Sequence, residues 1–64
     1  MIRVNGNSEP FVDETVADLL ARHGIEARGI AVALDGEVVR RGVWNEIKIH
    51  DGAQVEIVTA AAGG

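Results

Sequence analysis

The dipeptides Asn5–Gly6, Asp35–Gly36 and Asp51–Gly52 constrain this chain more than any other feature. Asn, Asp and Gly tolerate positive φ, so each pair marks a point where the backbone turns. Ahead of the first pair, "MIRVN" alternates, with Ile2 and Val4 on one side and Arg3 and Asn5 on the other. That is the pattern of a half-buried strand. "EPFVD" follows and is expected to be the returning strand of a hairpin. Pro10 cannot donate a ladder hydrogen bond, which places this second strand at a sheet edge. Asp35–Gly36 is the strongest hairpin signal, with "GIAVAL" running into it and "EVV" returning. "GIAVAL" is apolar without alternation, as in a strand covered on both faces or one with a face left partly bare. After Asp51–Gly52, "AQVEIVT" reads as the last strand, with Val55 and Ile57 on one side and Gln54, Glu56 and Val58 on the other.

One segment has a different period. In "TVADLLARHG", Val16, Leu19, Leu20 and His23 fall on one helical face. Thr15 is a good N-cap, and Asp18 three residues on is close to a capping box and suits the positive end of a helix. Asp18 and Arg22 are spaced to pair across the exposed face. Gly24 is the expected stop, with Ile25 folding back over the last turn. "RRGVWNEIKIH" has no clear period and is read as a crossing loop with a single helical turn and a short strand.

These elements predict an α+β domain in the order ββαββ, with or without an extra short strand. The sheet is mixed, of four to five strands, and one main helix, at about residues 15–23, packs on one face. A sheet face and a helix stripe bury each other. At 64 residues the chain is one domain at most, and with no cysteine it has no disulfide or thiolate-bound zinc to hold it together. Stability falls to an apolar core, which the 47% hydrophobic content can supply.

The same composition narrows function. A net charge of −4 argues against a nucleic-acid partner, which needs a basic stripe, and fits a partner with a basic surface. "MIRVNGNSEP" lacks the apolar run of a signal peptide, and no stretch reaches transmembrane length. With zero cysteines, a cytoplasmic location and no membrane partner are expected.

No part of the body reads as a site. His23 and His50 have no second ligand at metal spacing and no nucleophile beside them, so no metal is expected and no residue is assigned a catalytic role. The acids show no acid–base cluster, and the glycine pairs do not make a phosphate loop. Phe11 and Trp44 are too few for a base-stacking platform; one or both are read as core plugs, with partner docking as the lesser reading. Two features are left over. One is the outward set of Ala31, Ala33 and Val58, which on a face the helix leaves bare forms a patch suited to a partner. The other is the end of the sequence, "AAAGG".

"VNG", "TVADLL" with "HGI", "VALDGEVV", a tryptophan after a basic pair, and "DGAQVEIVTAAAGG" occur together in this order over the whole chain. In this combination the chain resembles the ThiS family of bacterial sulfur carriers in thiamine biosynthesis. With the last strand beside the first, the expected fold is the β-grasp also seen in ubiquitin. Residues 1–59 would form the β-grasp domain and residues 60–64 a flexible tail. The resemblance implies that a ThiF-type adenylating enzyme uses ATP to activate the Gly64 carboxylate. A sulfur donor protein then displaces AMP to leave a thiocarboxylate, which a ThiG-type thiazole synthase consumes. The carrier itself would bind no cofactor and would be a co-substrate rather than an enzyme. Ala60, Ala61, Ala62, Gly63 and Gly64 would enter the partners' active sites. Glycines lack Cβ and pass through narrow channels, and five extended residues reach about 17 Å. The alternatives are a ubiquitin-like protein modifier, joined through Gly64 to a lysine, and a MoaD-like carrier for molybdopterin synthesis.

Overall fold

The computed structural model describes residues 1–59, so the expected tail at residues 60–64 lies outside the described residues. Five strands and one α-helix follow in the order β1 (Ile2–Val4), β2 (Asn7–Glu9), α1 (Val16–Arg22), β3 (Ile30–Leu34), β4 (Glu37–Val39) and β5 (Gln54–Thr59). A 3-10 turn, Arg41–Val43, interrupts the crossing from β4 to β5. Five strands make the order ββαβββ, one strand beyond the minimal expectation, because both halves of the Asp35–Gly36 hairpin join the sheet, β3 beside the last strand and β4 at the edge beyond it.

The sheet order is β2-β1-β5-β3-β4. β5 is central, parallel to β1 on one side and antiparallel to β3 on the other. The first and last strands are thus neighbours, as the β-grasp reading requires. Asn5 and Gly6 have φ of 51° and 83°, and Asp35 and Gly36 have 52° and 87°. Positive φ at both central residues is what a two-residue type I′ hairpin turn needs. A two-residue turn also sets the register at once, with Val4 opposite Asn7 and Ile2 opposite Glu9. The returning strand is therefore Asn7–Glu9, not the expected "EPFVD". Pro10, with no N–H to donate, lies just past the strand end, and β2 is an edge strand as anticipated.

Helix α1 has a complete set of end contacts. At its start the Thr15 Oγ1 accepts from the Asp18 N–H (3.1 Å), and the Asp18 carboxylate accepts from the Thr15 N–H (3.2 Å). This is the capping box. The first two helical N–H groups are met from the crossing segment, Val16 by the Ile47 carbonyl and Ala17 by the Trp44 carbonyl, each at 3.0 Å. At the other end, Ile25 N–H reaches the Leu20 carbonyl and Gly24 N–H the Ala21 carbonyl, with Gly24 at φ 70°. That pair of bonds is a Schellman motif, and Ile25 packs against the core as expected.

Asp18 does not pair with Arg22, because its carboxylate is already committed to the cap. Arg22 instead reaches Glu14 through Nε (3.1 Å) and Nη2 (2.6 Å), and Glu9 through Nη2 (2.8 Å). The guanidinium lowers the Glu9 carboxyl below its ordinary range, with His23 adding to the effect. His23 is the C-cap residue rather than a member of the buried face.

The core lies between α1 and one face of the sheet. Ile2, Val4, Val32 and Val55 come from the strands, Val16, Leu19 and Leu20 from the helix, and Trp44, Ile49 and Ala53 from the crossing segment. Each fully buried aliphatic side chain contributes on the order of 1.5–3 kcal/mol. Trp44 is a core plug as expected, and its indole N–H donates to the Val39 carbonyl (2.8 Å). Phe11 does not join it and stays exposed, since the loop after the shortened β2 carries it away from the core. The short strand expected in "RRGVWNEIKIH" is reduced to a single bridge between Thr15 and Lys48.

Candidate functional site

The second sheet face has no helix over it. Alternation along β5 sends Val55 into the core and leaves Glu56 and Val58 outward, with Val58 58% exposed. On β3, Val32 is buried while Ala31 and Ala33 take the opposite face. Register brings the expected docking residues together: Ala31 lies opposite Val58, and Ala33 lies between Glu56 on β5 and Val38 on β4. The result is a shallow apolar groove of about 90 Å³, lined by Ala31, Val32, Ala33, Val38, Glu56 and Val58. Two alanines in the central row keep its floor low, and valines stand on either side.

Val38, 75% exposed, and Glu56 were not among the expected docking residues. Both were within reach of the sequence. A two-residue turn at Asp35–Gly36 fixes Leu34 opposite Glu37 and so Ala33 opposite Val38. Glu56 alternates with Val58 and therefore shares its face. The same face becomes polar towards β1 and β2, where Arg3 lies beside Gln54 and Ser8.

The groove sits beside the strand end that leads to residue 60. Ile30 pairs with Thr59, so β5 is held by β3 up to the last described residue. Val58 is one residue from that point. The five residues expected to carry the chemistry, Ala60, Ala61, Ala62, Gly63 and Gly64, lie outside the described residues.

Among the described residues the rest of the molecule has no catalytic arrangement. No group of three His, Cys, Asp or Glu side chains could hold a metal ion. His23 Nε2 lies against Glu9 (2.9 Å) and His50 Nε2 against Asp35 (2.6 Å). The His50 Nδ1 faces the Asp51 carbonyl (2.8 Å). A carbonyl and a carboxylate both accept, so the doubly protonated ring suits both contacts, and its pKa is raised, chiefly by Asp35. This pair ties the Asp35–Gly36 turn to the loop before β5 and presents no nucleophile. No described helix is long and apolar enough to cross a membrane.

The sequence pattern of the ThiS family matches residues 2–64. A curated protein from Thermus thermophilus, named sulfur carrier protein ThiS, is 31% identical over 64 residues, covering 100% of both chains. A thiazole synthase of Paramagnetospirillum magneticum is 32% identical over 62 residues, which is 95% of this chain but only 19% of that protein. Among solved structures, the crystal structure of a thiamine biosynthesis protein (ThiS) from Geobacter metallireducens superposes with a TM-score of 0.87 at 28% identity. That match covers 98% of this chain and 97% of the other.

Proposed function

This chain belongs to the ThiS family of sulfur carriers in thiamine biosynthesis, and we propose that it carries its sulfur on the carboxylate of Gly64. A carboxylate is a poor electrophile, so it must be activated before sulfur can replace oxygen. In this reading a ThiF-type enzyme directs the Gly64 carboxylate onto the α-phosphorus of ATP and releases pyrophosphate. Sulfur at the sulfide level, supplied by a donor protein, then attacks the acyl carbon. AMP leaves with one carboxylate oxygen, and the product is a thiocarboxylate. The carrier is a co-substrate; ATP and the catalytic groups belong to the partner.

The observation that carries this reading is the extent of the family match, which runs through the glycine pair to residue 64. The apolar groove at the end of β5 supports it, because a partner seated there would receive residues 60–64 directly. Residues 60–64, extended at about 3.3–3.6 Å each, would reach about 17 Å past the body. The body then rests at the rim while the end enters an active site. The stretch resembling this chain within the thiazole synthase of P. magneticum supports a ThiG-type synthase as the protein that takes the sulfur.

Carrier-dependent ATP–pyrophosphate exchange by the cognate adenylating enzyme tests the proposal. The intact chain should support exchange, and the chain lacking Gly64 should not. Val58→Asp should weaken it with the fold unchanged. Equal exchange from the shortened chain would refute the assignment of Gly64, and an unaffected Val58→Asp would refute docking through this face.

A further inference from the structure

We propose that Glu56 sets partner choice on the bare sheet face, by requiring a cationic side chain beside the apolar group that fills the groove. This rests on the reading of that face as the docking surface.

Glu56 is the one charged residue among those lining the groove. Several other acids of the fold have partners, Glu9 and Glu14 with Arg22, Asp13 with Lys48, and Asp35 with His50, while Glu26, Glu37 and Glu46 have no ion pair among the described residues and lie outside the groove. Glu56 has no ion pair among the described residues, and its neighbours across the row are Ala33 and then Val38, which offer it none. On its other side the face turns polar, with Arg3 beside Gln54, but no ion pair joins Arg3 to Glu56 among the described residues.

The groove, floored by two alanines and flanked by valines, suits a small aliphatic side chain. Seating such a side chain strips water from Glu56 as well. An ionised carboxylate that loses water without gaining a partner is strongly unfavourable. The docked surface must therefore bring an arginine or lysine next to its apolar group, and a surface lacking one is rejected. Selection against the wrong surface is how a small, shallow groove can be specific. The net charge of −4 also favours approach of a basic surface. A second copy of this chain is a poor occupant. A two-fold contact through this face uses the same patch on both copies and brings Glu56 towards its own counterpart.

The test measures the KM for the carrier in ATP–pyrophosphate exchange with the cognate adenylating enzyme, using Glu56→Gln, Glu56→Lys and Val58→Asp. Unchanged thermal midpoints confirm that each variant folds. The expected result is a KM raised about tenfold or more by Glu56→Lys, a smaller rise for Glu56→Gln that shrinks with added salt, and kcat within about twofold throughout. If Val58→Asp raises KM while both Glu56 variants match the unaltered chain, the face docks without help from Glu56, and this proposal is overturned alone. If all three match the unaltered chain, the docking face itself is wrong. A loss confined to kcat would also overturn it, because it would place Glu56 in the reaction rather than in recognition.

Discussion

Arg22→Ala separates a structural ion cluster from a decorative one. Glu14 is 6% exposed, and Arg22 approaches both of its oxygens while also bonding Glu9. Removing one partner of a buried pair costs about 3–5 kcal/mol, because the remaining charge is stranded. Exposed pairs are worth only about 0.2–1 kcal/mol. The Arg22 side chain is 39% exposed, so solvent screens its end of the pair and the cost falls between these limits. We expect about 2 kcal/mol. Alanine is the best helix former, so intrinsic propensity works against this loss rather than adding to it. For a domain of this size, 2 kcal/mol lowers the thermal midpoint by roughly 8–16 °C. Urea unfolding should show a lower midpoint at an unchanged slope. Glu14→Gln in the Arg22→Ala background should recover part of the loss, since the stranded charge is gone. A loss below about 0.5 kcal/mol, typical of an ordinary surface change, would refute the reasoning. So would strict additivity of the two substitutions.

Other consequences concern single contacts. The raised pKa of His50 means that its pairing with Asp35 stabilises the fold below the ordinary histidine value of 6.5 and is lost as pH rises through the folded value. Asp35, lowered by the same contact, contributes above its ordinary 3.8 and loses that contribution as pH falls through its folded value. NMR titration of the His50 ring should give a pKa above 6.5, and Asp35→Asn should return it towards 6.5. Trp44→Phe removes the hydrogen bond to the Val39 carbonyl and the indole under the Arg41 guanidinium, 5.7 Å from the ring centre. It should cost about 1–3 kcal/mol in chemical denaturation. Gly24→Ala forces a side chain into the left-handed conformation at φ 70° and should lose about 1–2 kcal/mol, read from the same curves.

What the sequence revealed was mostly local. The capping box at Thr15 and Asp18, the stop at Gly24 with Ile25 folded back, and the turns at Asn5–Gly6 and Asp35–Gly36 each involve residues a few positions apart, and each is formed. The Asp18–Arg22 pairing failed because two local rules competed for one carboxylate and the cap won. The true partners of Arg22, Glu9 and Glu14, come together only once β2 lies along β1. The returning strand lies ahead of "EPFVD" because the two-residue turn at Asn5–Gly6 sets Asn7 opposite Val4 and Glu9 opposite Ile2. The bare face was legible in "GIAVAL" and Val58, since apolar residues on both sides of a strand leave one side without cover. Val38 and Glu56 follow from the same local rules, the two-residue turn that sets Val38 opposite Ala33 and the alternation that puts Glu56 on the face of Val58.

Intact-mass spectrometry after incubation with ATP, the cognate adenylating enzyme and sulfide addresses the assignment of Gly64 most directly. The account predicts a mass gain equal to the exchange of one oxygen for one sulfur, absent when Gly64 is deleted. An unchanged mass in the presence of an enzyme shown to be active, or a gain instead by amide linkage to a target lysine, would contradict it.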